Sequence, residues 1–203
     1  MSDSPLGPFI DKGCLIDSKV IGVQNSIDQF FYEDNGKKYM FWGSFRGIYA
    51  TELTDNGLEI KKKTDGTPVL KKRICGNRFE GTNIYKRGEY YYLFASIGTC
   101  CNGATSTYQT VVGRSKNVLG PYLDKTGRDM LYDYCEIIMS GNETWAGPGH
   151  NSILIQDDVG TDWIIYHGYK KKEAENGRYV LMDKLIWSND GWPSVKSNAP
   201  SIL

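Results

Sequence analysis

Three ionisable side chains recur at one place in a repeating pattern: Asp28, Glu80 and His150 each open a short apolar stretch, followed by a turn and an aromatic-rich stretch. In the first copy Asp28 leads into Phe30-Phe31-Tyr32, then Asn35-Gly36, then Tyr39-Met40-Phe41-Trp42. In the second, Glu80 leads into Asn83-Ile84-Tyr85, then Arg87-Gly88, then Tyr90-Tyr91-Tyr92-Leu93-Phe94. The third is slightly stretched: His150 leads into Ile153-Leu154-Ile155, a turn around Asp157-Asp158-Val159-Gly160, and Trp163-Ile164-Ile165-Tyr166-His167. Gly36 and Gly88 each fall eight residues after the carboxylate, where a tight hairpin calls for a residue tolerant of positive φ. One such ionisable group could simply cap its strand. Three at equivalent positions are costly to desolvate unless they share a wet cavity or face one another. Two carboxylates in one cavity suit glycosidic bond cleavage, in which one acid stays protonated to serve the leaving oxygen. Glu80 is the expected acid.

The elements that must carry these groups can be read from the spacing. Glu80 lies 52 residues beyond Asp28, and His150 lies 70 beyond Glu80. The mean of about 61 suits one four-stranded antiparallel sheet per repeat, as in a propeller blade with loops. Residues 47–53 and 108–114 read as third strands. A second repeat, Leu6-Gly7-Pro8-Phe9-Ile10-Asp11-Lys12-Gly13 against Leu119-Gly120-Pro121-Tyr122-Leu123-Asp124-Lys125-Thr126, marks the end of a blade. Residues 1–13 are therefore expected to be the tail of an incomplete blade, with further blades starting near 28, 80 and 150. The expectation is a single all-β domain over 1–203 of about three and a half blades; such a row cannot close a ring, so missing N-terminal blade or blades, oligomeric completion or an unusual closure is expected.

Composition agrees. With 14 Tyr, 7 Phe, 5 Trp and 23 Gly the vocabulary is that of strands and turns rather than a helical bundle. Balanced charge, 24 cationic against 24 anionic side chains, gives no field to attract nucleic acid or anionic lipid, and no apolar run is long enough for a membrane span. Nucleic acid and membrane are excluded as expected partners. Five cysteines without CxxC spacing read as free thiols in packing roles, the adjacent Cys100-Cys101 pair being awkward to bridge. Free thiols alone would favour a reducing interior. The lysine runs at 61–63, 71–73 and 170–172 read as solvated turns or guarded sheet edges.

Asn25-Ser26-Ile27-Asp28, Phe79-Glu80-Gly81 with the tyrosine run at 90–92, and Gly147-Pro148-Gly149-His150-Asn151-Ser152 resemble family 43 glycoside hydrolases, which are five-bladed β-propellers. Cys100-Cys101-Asn102-Gly103, Val112-Gly113-Arg114-Ser115 and Trp42-Gly43-Ser44-Phe45 look most like the endo-1,5-α-L-arabinanase branch. The resemblance implies an inverting acid/base hydrolase of arabinan-type polysaccharide. It makes Glu80 the general acid, Asp28 the carboxylate that tunes and orients it, and His150 the ligand of a water-surrounded central cation, usually calcium. It also places Arg178 near the pocket and counts Asn25 among the substrate contacts. Phe31, Phe45, Trp145 and Tyr169 are candidate sugar platforms, since a furanose packs its C–H face on a π surface; Trp163, Trp187 and Trp192 are assigned to core or closure. Ser96, Asn151 and Ser152 are expected at the channel mouth. The general-base aspartate of the family has no counterpart here, and Glu80-Gly81 is followed by Thr82 where proline is common. β-Xylosidase or α-L-arabinofuranosidase activity, and a non-catalytic carbohydrate-binding propeller, are the alternatives. The resemblance favours an extracellular or periplasmic place of action.

Overall fold

A computed structural model of the chain describes residues 1–202. After a single-turn helix, α1 (Ser18–Ile21), come fourteen strands among the described residues, and every pairing between them is antiparallel. The first sheet is β1 (Phe30–Asp34), β2 (Lys37–Trp42), β3 (Ile48–Glu52) and β4 (Lys71–Cys75), in that order. The second is β5 (Glu80–Arg87), β6 (Tyr90–Ile97), β7 (Gln109–Ser115) and β8 (Glu136–Met139). In the third, β9 (Trp145–Gly149) and β10 (Ile155–Gln156) both pair with β11 (Asp162–Lys170), which also pairs with β12 (Tyr179–Lys184). A two-stranded pair, β13 (Ile186–Trp187) and β14 (Pro193–Ser194), closes the chain.

The predicted hairpin turns form where glycine permits them. Asn35 (φ 50°) and Gly36 (φ 75°) make the β1–β2 reversal, with the two positive φ values that match the twist of the strands they join. The first core lies between sheets one and two and holds Phe41, Ile48 and Ala50 with Leu93, Ala95 and Val111. A second core gathers Tyr92, Phe94, Val112, Ile164 and Tyr166. Strand β6 therefore sends alternate residues to two different cores, which is why its sequence is apolar throughout rather than alternating. The exposed Lys71, Lys72 and Arg73 lie on β4, the edge strand of the first sheet, as charges guarding an edge should.

Three expectations are refined. Trp192 and Trp187 do pack in the second core, but Trp163 is half-buried and its indole N–H donates to Asp157 in the preceding turn (2.9 Å). Cys75 is buried and Cys135 packs beside it, but Cys100 and Cys101 are bridged rather than free, both lying in the bend after β6. Residues 1–13, expected as a blade tail, carry a turn and no strand, with Leu6, Phe9 and Ile10 exposed.

Candidate active site

Asp28, Glu80 and His150 do converge. Asp28 sits two residues before β1, Glu80 begins β5, and His150 lies in the break between β9 and β10. The Asp28 carboxyl is pushed above the usual range by burial first; His150 draws it down, Glu80 pushes it up, and the Gly81 N–H favours its ionised form. Those influences require the three groups to share one neighbourhood. Asp28 Oδ2 is buried without a hydrogen-bond partner. Asp28 (φ 56°) and His150 (φ 49°) both adopt left-handed backbone that glycine normally occupies, conformations that persist where the surrounding structure enforces them. Gly81 (φ 61°) explains the glycine after the acid: a Cβ there would lie 3.1 Å from the His150 ring.

Glu80 is buried and both its oxygens are engaged. Ser44 Oγ donates to Oε2 at 2.7 Å, and the Tyr108 hydroxyl donates to Oε1. Ser44 rides on the loop joining β2 to β3, which is pinned at two points. Asn25 Nδ2 donates to the Ser44 carbonyl (2.7 Å), and the Phe45 N–H donates to the Phe79 carbonyl (2.9 Å), tying the first sheet to the second. Gly43 makes this loop possible, since a Cβ at its φ of 123° would fall 2.2 Å from the Gly47 carbonyl oxygen.

Tyr108, just before β7, is almost wholly buried. Burial, then the bond to Glu80, pushes its phenol far above the ordinary tyrosine range. The Gly147-Pro148-Gly149 stretch runs flush against it: a Cβ on Gly149 would lie 2.4 Å from the Tyr108 ring, and one on Gly147 would lie 2.1 Å from Ser106 Oγ. Beyond Tyr108 stands His167 on β11, its ring within 13° of parallel to that of Tyr108 at 5.8 Å between centroids and 6.2 Å from the His150 ring. Arg178 Nη1 lies 3.3 Å from His167 Nε2. Burial, the Arg178 guanidinium and His150 together push the His167 pKa down to about 4, so the ring is neutral near pH 7 and its Nε2 can accept from Arg178.

The remaining expected residues divide by position. Ser96 is fully buried and its Oγ accepts the His150 N–H (2.8 Å), so it holds the site from behind instead of lining a mouth. Asn151 is buried as well, with its amide donating to the Ser152 carbonyl and its own carbonyl receiving Asn83 Nδ2; Ser152 is exposed. Phe45 adjoins Ser44. Phe31 points away from the first core, since its neighbour Phe30 packs there and successive strand residues alternate. Trp145 meets the Tyr179 ring edge-on and donates to the Ser201 carbonyl, while Tyr169 is buried on β11. Arg178 is exposed and reaches the cluster through His167. Ser44, Tyr108 and His167 were missed because they lie outside the repeat positions; the glycines at 147 and 149, which leave room for a large side chain, were the signal for Tyr108.

For a cation at His150 the available donors are few. No described residue bonds the exposed His150 ring nitrogens, and the unpartnered Asp28 Oδ2 is a carboxylate oxygen left over in the same neighbourhood. No group of three His, Cys, Asp or Glu side chains able to hold a metal occurs among the described residues. A hard cation, which takes six to eight oxygens, fits here only if water completes its shell.

Comparison with known proteins gives the family. Residues 1–193 match Glycosyl hydrolases family 43, and the chain belongs to that family. It is 36% identical over 204 residues to an extracellular exo-alpha-(1->5)-L-arabinofuranosidase, ArbA, of Cellvibrio japonicus, covering 95% of this chain and 58% of that protein. It is 35% identical over 191 residues to an extracellular endo-alpha-(1->5)-L-arabinanase of Bacillus subtilis, covering 93% and 56%. The solved structure of a Cellvibrio cellulosa alpha-L-arabinanase superimposes with a TM-score of 0.77 at 34% identity, covering 99% of this chain and 68% of that one. The chain thus spans little more than half the length of these curated relatives.

Proposed function

We propose that the chain is part of an arabinan-degrading glycosidase in which the three four-stranded sheets are blades of a β-propeller. In this reading residues 1–203 are one catalytic domain, with 1–13 the tail of a further blade and blades beginning near 28, 80 and 150. The observation that carries the proposal is the convergence of Asp28, Glu80 and His150 from three successive sheets. The relatives named for acting on arabinans supply the substrate class.

Glu80 is the general acid. Its two donors fix the carboxyl in one orientation, so that it can pass a proton to a leaving glycosidic oxygen placed beside it. Asp28 stands close as the orienting and electrostatic partner. The base that an inverting displacement needs is assigned to no residue around Glu80. His150 would hold a largely hydrated calcium ion, which would supply positive charge to the cavity; calorimetric titration with calcium of wild type and His150→Ala reads this directly, and equal heats would exclude it. The extracellular names of the relatives favour action outside the cell.

The test is hydrolysis of debranched arabinan, an aryl α-L-arabinofuranoside and an aryl β-xyloside by the whole chain and by Glu80→Gln. Arabinan or arabinoside cleavage falling by about 10²–10⁴-fold in the variant is expected. Preferential xyloside cleavage would move the substrate class. Binding of arabino-oligosaccharide with no cleavage by wild type would make the chain a binding module, and equal rates for variant and wild type would remove Glu80 as the acid.

A further inference from the structure

The cluster around Tyr108 reaches beyond the carboxylates and the cation, and a role for it rests on reading Glu80 as the acid. Every interaction of the Tyr108 side chain is directed. Its hydroxyl reaches Glu80 Oε1, the side-chain-free backbone at Gly149 abuts the ring, and His167 lies nearly parallel to it. His167 is in turn fixed from the outside by Arg178. These residues come from β5, the position just before β7, β9, β11 and the turn before β12, so the contact pins the second sheet to the third at the carboxylate itself. Ser44 does the same from the first sheet on the other carboxylate oxygen. A buried carboxylate with one donor per oxygen has a single rotamer in which both are satisfied, and losing either donor leaves a lone pair without a partner.

We infer that Tyr108 is a positioning residue for Glu80, holding the carboxyl in the orientation needed for proton delivery, and that His167 and Arg178 act through it by fixing the tyrosine ring. Arg178 then matters to the reaction without touching sugar. Two side chains, His167 and Tyr108, join the exposed guanidinium to the buried acid through three contacts.

The distinguishing experiment uses two readouts on the whole chain. In the first, wild type, Tyr108→Phe and His167→Phe are assayed on aryl α-L-arabinofuranosides with good and poor leaving groups. A poor leaving group needs the proton and a good one does not. Tyr108→Phe is therefore expected to lower kcat about 10–100-fold on the poor leaving group and less than about 3-fold on dinitrophenyl arabinofuranoside. His167→Phe, which keeps an aromatic ring but drops the Arg178 contact, should show the same selectivity at about 3–10-fold. A structural lesion would lower both substrates alike, and that result overturns the inference.

The second readout does not depend on turnover. The Tyr108 hydroxyl, buried and bonded to a carboxylate, should give a slowly exchanging downfield proton resonance. It should vanish in Tyr108→Phe and shift in Glu80→Gln, where an amide replaces the carboxyl acceptor. An unchanged resonance in Glu80→Gln overturns the positioning role. If wild type cleaves no arabinoside while the resonance responds as expected, the tyrosine still holds the carboxyl, but the glycosidase reading falls and the role in proton delivery falls with it.

Discussion

Residues 2–13 and 115–126 are identical at six of twelve positions, fold into the same turn, and sit in opposite surroundings. The local bonds correspond one for one. Ser2 Oγ accepts the Ser4 N–H as Ser115 Oγ accepts that of Asn117; Ser4 Oγ accepts the Leu6 N–H as Asn117 Oδ1 accepts that of Leu119. The Gly7 N–H donates to the Ser4 carbonyl and that of Gly120 to Asn117, while Met1 and Ile10 exchange the same two bonds as Arg114 and Leu123. Yet Tyr122 is 0% exposed in the first core and its counterpart Phe9 is 71% exposed. Asp124 is buried and takes bonds from the Thr126 N–H and hydroxyl and from the Arg128 N–H and guanidinium, where Asp11 takes one, from the Gly13 N–H. Local sequence writes the turn; its neighbours decide what the turn is worth.

That contrast can be broken most forcefully at the aromatic position. Tyr122→Ala should cost about 3–5 kcal/mol, through lost burial and the cavity left in the first core, whereas Phe9→Ala should stay within about 0.5 kcal/mol, as exposed substitutions do. Urea unfolding of the two variants compares them, and equal losses would mean that Phe9 is covered in solution. At the carboxylates the difference narrows. Asp124→Ala strips partners from buried donors and should cost about 1–3 kcal/mol; Asp11→Ala, with a single solvated bond, should cost less than about 0.5 kcal/mol.

A pH series sharpens the same point. Burial pushes the Asp124 carboxyl up, but the bonds from Arg128 and Thr126 outweigh it and hold the group below its ordinary value of 3.8. Its contribution is complete above that value and disappears as pH falls through the lower folded-state value. The acid limb of a stability curve below about pH 4 should therefore flatten in Asp124→Asn relative to wild type. The smallest difference belongs to the glycines, where the turns should behave alike. Gly7 (φ 87°) and Gly120 (φ 77°) have matching backbones, and a Cβ on either would meet the ring two residues on, at 3.1 Å and 3.2 Å. Alanine at each should cost about 1–2 kcal/mol, the left-handed penalty, and a large disparity would show that context reaches even the backbone.

Much of the fold was legible because it is periodic. The carboxylate-to-glycine spacing located the first two hairpins, and the spacing of Asp28, Glu80 and His150 anticipated four-stranded antiparallel sheets. Strand β6, apolar on both faces, gave no alternation to read, and the third sheet hid a strand broken between β9 and β10 on the same side of β11. In the site, repeat position found the two carboxylates and the histidine. It missed Ser44, Tyr108 and His167, whose roles come from contacts across sheets, and it overvalued Ser96, which the packing turns inward behind His150. The pair at Cys100 and Cys101 misled because chain adjacency argues against a bridge that the local bend allows.

What the chain's own letters determined are quantities that depend on neighbours a few residues away: glycines where φ must be positive, turn residues that bond their own backbone, and the recurrence of one strand pattern with a charged residue at its head. Only the tertiary structure decided that Glu80 would have both oxygens occupied, that Arg178 would reach it through two aromatic rings, and that one of two matching turns would be buried. The reason is physical. Dihedral preferences and short-range hydrogen bonds act within a turn, whereas desolvation and side-chain contact depend on which distant surfaces the sheets bring together.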